Sequence, residues 1–237
     1  MALPKQILPT YSTELPSTGK VIKFKPFQVR EEKALLLAQQ SDDKGIMADT
    51  LKDVVKHCVV DDIDVESLAM FDLEYLLLQI RAKSIGEIVA LIFSCDTCID
   101  PKAKTKINFD LTQLKVKKDP NHTNKIKLFD TTGVVLKYPD VSAISKFDTL
   151  EDDDINGIFD LIISSIDYIY SDDEFFYAKD QTRQELHEFI NNLTQVQFQE
   201  LVKFFETMPK LRQDVKYTCP LCGLAHNKYI EGIDSFF

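Results

Sequence analysis

Glycine is scarce in this chain: 7 of 237 residues, no two of them close together, and tryptophan is absent. A loop that cradles phosphate needs clustered glycines so that backbone N–H groups can approach the ligand, so neither a P-loop nor a dinucleotide fingerprint is present. Gly-x-Ser-x-Gly nucleophile elbows are also missing. Histidine is equally sparse. His57, His122, His187 and His226 are scattered and lack the His-Glu-x-x-His spacing of a catalytic zinc helix. Carboxylates are plentiful, but Asp152–Asp154 and Asp172–Glu174 fall at the ends of expected helices, where capping and solvation are their ordinary roles. No apolar run approaches the roughly 18–20 residues that span a bilayer, and the longest candidate, 85–93, contains Glu87. The expectation is therefore a protein that is neither an enzyme nor a membrane span.

What is present is ample core material. Hydrophobic residues make up 44% of the chain and include 16 phenylalanines, which argues against disorder. The net charge of −10 is unevenly placed. Residues 102–137 carry nine lysines against three aspartates, and 148–188 carry thirteen acids against Lys179 and Arg183, so two stretches of opposite sign lie on one chain. Such blocks either are solvated faces or steer contact between copies and with charged protein partners. In the second case Lys115, Lys117 and Lys118 would face an acidic surface, and Asp172, Asp173 and Glu174 a basic one. Nucleic acid is not the expected partner. The net charge is unfavourable, and the only aromatic rings in the basic block are Phe109 and Phe129.

Two Cys-x-x-Cys pairs are the most informative motif: Cys95-Asp96-Thr97-Cys98 and Cys219-Pro220-Leu221-Cys222. Four thiolates presented as two short knuckles enclose one Zn²⁺ tetrahedrally and leave no position for water, which makes the site structural. Residues 99–218, 120 in all, separate the pairs, whereas a compact ribbon spaces its knuckles roughly 15–20 residues apart. One zinc shared by both pairs would clamp the end of the chain onto its middle. Disulfides or redox-active thiols are the competing assignment. No secretory signal is evident in 1–20, which points to a reducing cytosol and so to metal. Gly223 suits a knuckle turn with positive φ, while Ile99 holds the matching place in the first knuckle. His226 is an alternative ligand that four cysteines make unnecessary. Cys58, on a helix face with Met47, Leu51, Val54 and Val55, reads as a small core residue.

Along the chain, 1–19 reads as an irregular arm holding Pro4, Pro9 and Pro16, followed by a strand at Val21–Phe24. Helices are expected at 30–40, 46–58 and 66–83. Ile88–Phe93, a continuous apolar run, reads as a buried strand, and with alternating 107–111 and a hairpin around Asp130-Thr131-Thr132-Gly133 it makes 86–138 a small antiparallel sheet. Ile155, Ile158, Phe159, Ile162, Ile166 and Ile169 keep helical spacing, so one helix is expected through them. Capping boxes at Thr182–Glu185 and Thr194–Gln197 open two more helices. The fold expected is α+β: a small antiparallel sheet with flanking helices, closed by a four-cysteine zinc site joining mid-chain and C-terminal knuckles. Residues 20–237 would form a single interwoven domain, with the C-terminal knuckle in 211–237.

Several segments, in order and with their spacing, resemble the T-even-type bacteriophage baseplate hub protein family. They are Lys25-Pro26-Phe27 with Glu31 to Leu36, then Phe71 to Leu77 with Arg81, Ser84 and Gly86 running into the first knuckle. Leu193-Thr194 to Phe198, Phe204-Phe205 and Met208 to Leu211 follow, then the second knuckle, Glu231-Gly232-Ile233 and Phe236-Phe237. Together they cover most of 19–237. The resemblance implies a contractile-tail protein made in the host cell cytoplasm, which binds other baseplate or tail hub subunits in assembly of the central hub, in the virion tail or before it. It implies no catalytic residues. A zinc-ribbon nucleic-acid-binding or transcription-related phage protein is the alternative.

Overall fold

The computed structural model describes residues 6–41, 44–98, 100–141, 143 and 155–233. It is α+β, with small antiparallel sheets and helices. The chain falls into two compact units. The first combines Met1–Val65, Phe71–Lys117 and Lys210–Phe237; the second combines Glu66–Met70 with Lys118–Pro209. Within the first unit the C-terminal segment returns to a strand laid down before residue 118.

The first unit begins with strands β1 (Tyr11–Glu14) and β2 (Val21–Phe24), paired antiparallel. The expected irregular arm is therefore part of a hairpin. Tyr-Ser-Thr-Glu alternates half-buried and exposed residues, and Gly19 at φ 69° closes the turn after Pro16. On β2, Ile22 and Phe24 are buried while Val21 and Lys23 face water. Helices α1 (Val29–Gln39) and α2 (Lys44–Cys58) follow and pack together. Leu51, Val54, Val55 and Cys58 are buried at helical spacing, as the pattern predicts. Burial, with the nearby Glu31 charge, pushes the Cys58 thiol up to about 12, so it is an inert core group. Helix α3 (Met70–Ser84) buries Phe71, Leu73, Leu76, Leu77, Leu78, Ile80 and Ala82. Its buried Asp72 is raised by desolvation yet satisfied, because the Ser17 backbone N–H donates to it at 2.9 Å and the Ser17 hydroxyl donates as well.

Strands β3 (Ile88–Ser94) and β4 (Lys104–Asp110) form a second hairpin, with the first knuckle at its tip. The apolar run is only half covered, since Ile88 and Ile92 are 60% and 64% exposed. Two strands have one packed face at most, so alternate residues of even an all-apolar run meet solvent. The two-residue β5 (Val116–Lys117) leaves this hairpin and pairs elsewhere.

In the second unit β6 (Lys125–Phe129) and β7 (Thr132–Leu136) make the expected hairpin, turning at Asp130 with φ 41°. Helix α4 (Ile155–Ser164) leads to β8 (Ile166–Ser171) and β9 (Glu174–Tyr177), giving an antiparallel sheet in the order β6-β7-β8-β9. Residues 86–138 are thus divided among three sheets rather than forming one. The helix expected through Ile169 stops at Ser164. Val135 pairs with Tyr168 and Leu136 with Ile166, which leaves Asp167 as an extra, bulged residue. That bulge puts Ile166 and Ile169 on the same sheet face despite their three-residue spacing, so they imitate a helical repeat. Asp172 and Asp173 form the tip between β8 and β9, with Asp172 at φ 52°, rather than a helix end. Asp152–Asp154 and Ile99 lie outside the described residues.

Helices α5 (Arg183–Asn191) and α6 (Gln195–Thr207) both open with the capping boxes read from sequence. The backbone N–H groups of Thr182 and Thr194 donate to Glu185 and Gln197 at 2.7 Å each. Their apolar faces, with α4, cover one side of the sheet. Ile126, Val134, Leu136, Ile162, Ile163, Ile166, Ile169, Leu186, Ile190, Leu201 and Phe204 form its core. Gly133 has a packing reason: a Cβ there would lie 2.4 Å from the Ile126 carbonyl oxygen and against the Tyr170 ring.

Candidate metal centre

Strands β10 (Lys210–Thr218) and β11 (Ala225–Glu231) form a hairpin whose tip is the second knuckle, with β5 on its other edge. Two hairpins of the first unit, β3–β4 and β10–β11, therefore each end in Cys-x-x-Cys. Their tips meet. The Sγ atoms of Cys95, Cys98, Cys219 and Cys222 all lie within 4.8 Å of one another. Across the two tips, Cys95 and Cys222 approach to 3.9 Å and Cys98 and Cys219 to 3.7 Å. A tetrahedron with metal–sulfur bonds of about 2.3 Å has edges of about 3.8 Å. The thiols are thus spaced for one tetrahedral ion, and they remain free cysteines rather than disulfides.

The knuckles have the same internal bonding. In the first, the Cys98 backbone N–H, and then that of Thr97, is directed at the Cys95 sulfur and holds its thiol below the usual range. In the second, the N–H groups of Cys222 and Leu221 do the same for Cys219, which is lowered to about 7. Cys98 moves the other way, raised first by the Cys222 thiol beside it and then by burial. Four adjacent thiols cannot all ionise without a cation, and a divalent ion bound among them would supply that charge. Each tip also closes through its backbone: Cys95 N–H donates to Ala103 O, and Cys219 N–H to Leu224 O, both at 2.9 Å. Gly223, at φ 72°, makes the turn that an L side chain resists, as its position after Cys222 suggested.

His226 lies beside the cluster, not within it. Its Nε2 is 3.3 Å from the Cys95 sulfur, and its ring stacks on Tyr217 at 4.8 Å and 15°. Tyr217 in turn donates its hydroxyl to Ser94 O at 2.9 Å, next to the first knuckle. Thr105 donates to Thr218 O at 3.1 Å, and Lys228 meets Asp96 at 2.7 Å. These bonds lock the hairpins across the cysteines. Tyr217 and His226 sit directly opposite each other in the β10–β11 register, close to the second knuckle, but their bonds to the first hairpin depend on how the two hairpins dock, which no local sequence pattern records.

The other candidates are placed plainly. Lys117, expected to face a partner, pairs with Asp214 at 2.6 Å within its own unit. In the second unit a cleft of about 960 Å³ is lined by Lys137, Asp140, Asp160, Lys179 and Arg183 among others. There Arg183, at 2.5 Å, holds the Asp160 carboxyl below its ordinary range, with His187 at 3.3 Å. This is an ion-pair cluster at a partly exposed surface. Among the described residues no helix is long and apolar enough to cross a membrane.

Over residues 8–237 the chain matches the family model described as T4 bacteriophage base plate protein. No curated protein matches it, and no solved structure does.

Proposed function

The chain belongs to the T4 bacteriophage base plate protein family, and from that premise we propose that it is a non-enzymatic tail protein that builds the central baseplate hub by binding other tail subunits. The observation that carries this reading is the family match across nearly the whole chain. The site of action proposed is the host cytoplasm during assembly, then the tail baseplate.

The four-cysteine cluster is read as a structural Zn²⁺ site. Sulfur-only donors favour zinc over magnesium, calcium or manganese, and four of them fill its coordination shell. When bound, the ion supplies charge neutralisation and a cross-link. The chain's own residues do the rest: the knuckle N–H groups aim at Cys95 and Cys219, His226 bonds to Cys95, and Tyr217 holds the hairpins in register. Binding surfaces elsewhere on the protein would then be presented on a fixed frame.

An affinity-tagged copy expressed during infection tests the function. Baseplate subunits should co-purify with it, and their recovery should fall when zinc is stripped from the extract. Recovery of host proteins alone, or binding indifferent to a tail-gene deletion, would refute the hub reading. A strong, salt-dependent gel shift with mixed single- and double-stranded nucleic acid would favour the nucleic-acid alternative instead.

A further inference from the structure

Strand β9 ends its sheet, and among the described residues nothing pairs with its outer edge. All four of its residues are exposed, Phe175 by 57%, Phe176 by 40% and Tyr177 by 46%. An edge of this kind is normally blunted by proline, lysine or a bulge. β9 has none of these; only Glu174, at its start, is charged.

The faces are fixed by register. Tyr170 pairs with Phe175 and Tyr168 with Tyr177, on the side away from the core. The Tyr168 ring lies 5.7 Å from Phe175 and 5.6 Å from Tyr177. Phe176 pairs with Ile169, on the helix-covered side. Lys179, just beyond the strand, holds its ammonium 5.6 Å over the Tyr177 ring, at the margin of the same edge.

We propose that this edge is a self-association surface, on which β9 pairs antiparallel with β9 of a second copy about a two-fold axis through Phe176. Directly opposed residues in an antiparallel pair share a face, so joining like faces requires partners two residues apart or none. Centring on Phe176 sets Phe175 against the second copy's Tyr177, twice, and the two Phe176 rings against each other. It also brings Asp173 toward the second copy's Lys179 at both ends. Sliding by one step of this parity sets an aromatic ring against Glu174 or Ala178 instead. The strand is therefore its own complement in sequence, in face and in terminal charge. A two-fold contact of this kind closes on itself and does not propagate.

Sedimentation velocity of the zinc-loaded chain over a wide concentration range tests the proposal. A reversible monomer–dimer equilibrium is expected. Phe176→Lys, which sets two ammonium groups face to face on the axis, should weaken it by about tenfold or more. Zinc content and circular dichroism check that this variant is folded. Lys179→Glu should weaken the dimer, and adding Asp173→Lys to it should restore association; this pair serves if Phe176→Lys does not fold. A chain monomeric at every concentration would overturn the proposal, whether or not another tail subunit takes the edge. So would a dimer indifferent to both the axis and the charge variants.

Discussion

The paired hairpins of the first unit and the four-stranded sheet of the second are both small antiparallel structures, yet different things hold them. Beneath the sheet lie Val134, Leu136, Ile166, Leu201, Phe204 and their neighbours, contributed by three of its strands and three helices. Where the hairpin tips meet, the buried cluster is Cys95, Ala103 and Cys219, with Cys98 against it. Behind the tips the apolar contact between the two hairpins runs through Phe93, whose ring lies 5.3 Å from Tyr217, while the outer face of β3 leaves Ile88 and Ile92 in water. In the zinc reading proposed above, a metal held by four sulfurs would do at the tips what an apolar core does in the sheet. A metal also joins segments distant in sequence, which an apolar contact does only weakly and without fixed geometry.

The sharpest way to break this comparison is to remove the metal. Structural zinc contributes on the order of 10 kcal/mol to folding, so a strong chelator should unfold the hairpin tips while the sheet of the second unit keeps its protection in hydrogen exchange. Cys219→Ser should mimic this in part, and Cys58→Ala should leave metal content unchanged. The converse perturbation is Phe204→Ala, which empties part of the sheet's core. It should cost about 3–5 kcal/mol in urea unfolding while zinc stoichiometry stays the same. A smaller loss, about 1 kcal/mol, is expected for Thr194→Ala, whose hydroxyl accepts the Gln197 N–H at 3.4 Å. Equal sensitivity of both units to every variant would erase the distinction between them.

What the sequence revealed follows the same division. Local signals were legible: both capping boxes, the Asp130 turn, the α2 stripe and the two knuckles all declare themselves within a few residues. The non-local choices were not. Nothing in Val116-Lys117 says that it pairs with Lys210-Leu211, with residues 118–209 lying between them in sequence. Ile166 and Ile169 carried a helical spacing that only the Asp167 bulge converts into a strand face. Tyr11–Glu14 looked irregular because its prolines flank the strand rather than interrupt it. For the candidate site, the four sulfurs could be named from spacing alone. The His226–Cys95 and Tyr217–Ser94 bonds could not, since they depend on how two distant hairpins dock.

The central claim is that one closed, sulfur-only zinc site joins the chain's middle to its end, and zinc-edge X-ray absorption on protein purified without chelator tests it most directly. One zinc per chain with four sulfur neighbours at about 2.3 Å is the expected result. A first shell containing nitrogen or oxygen, or protein that folds and assembles with no metal at all, would contradict it.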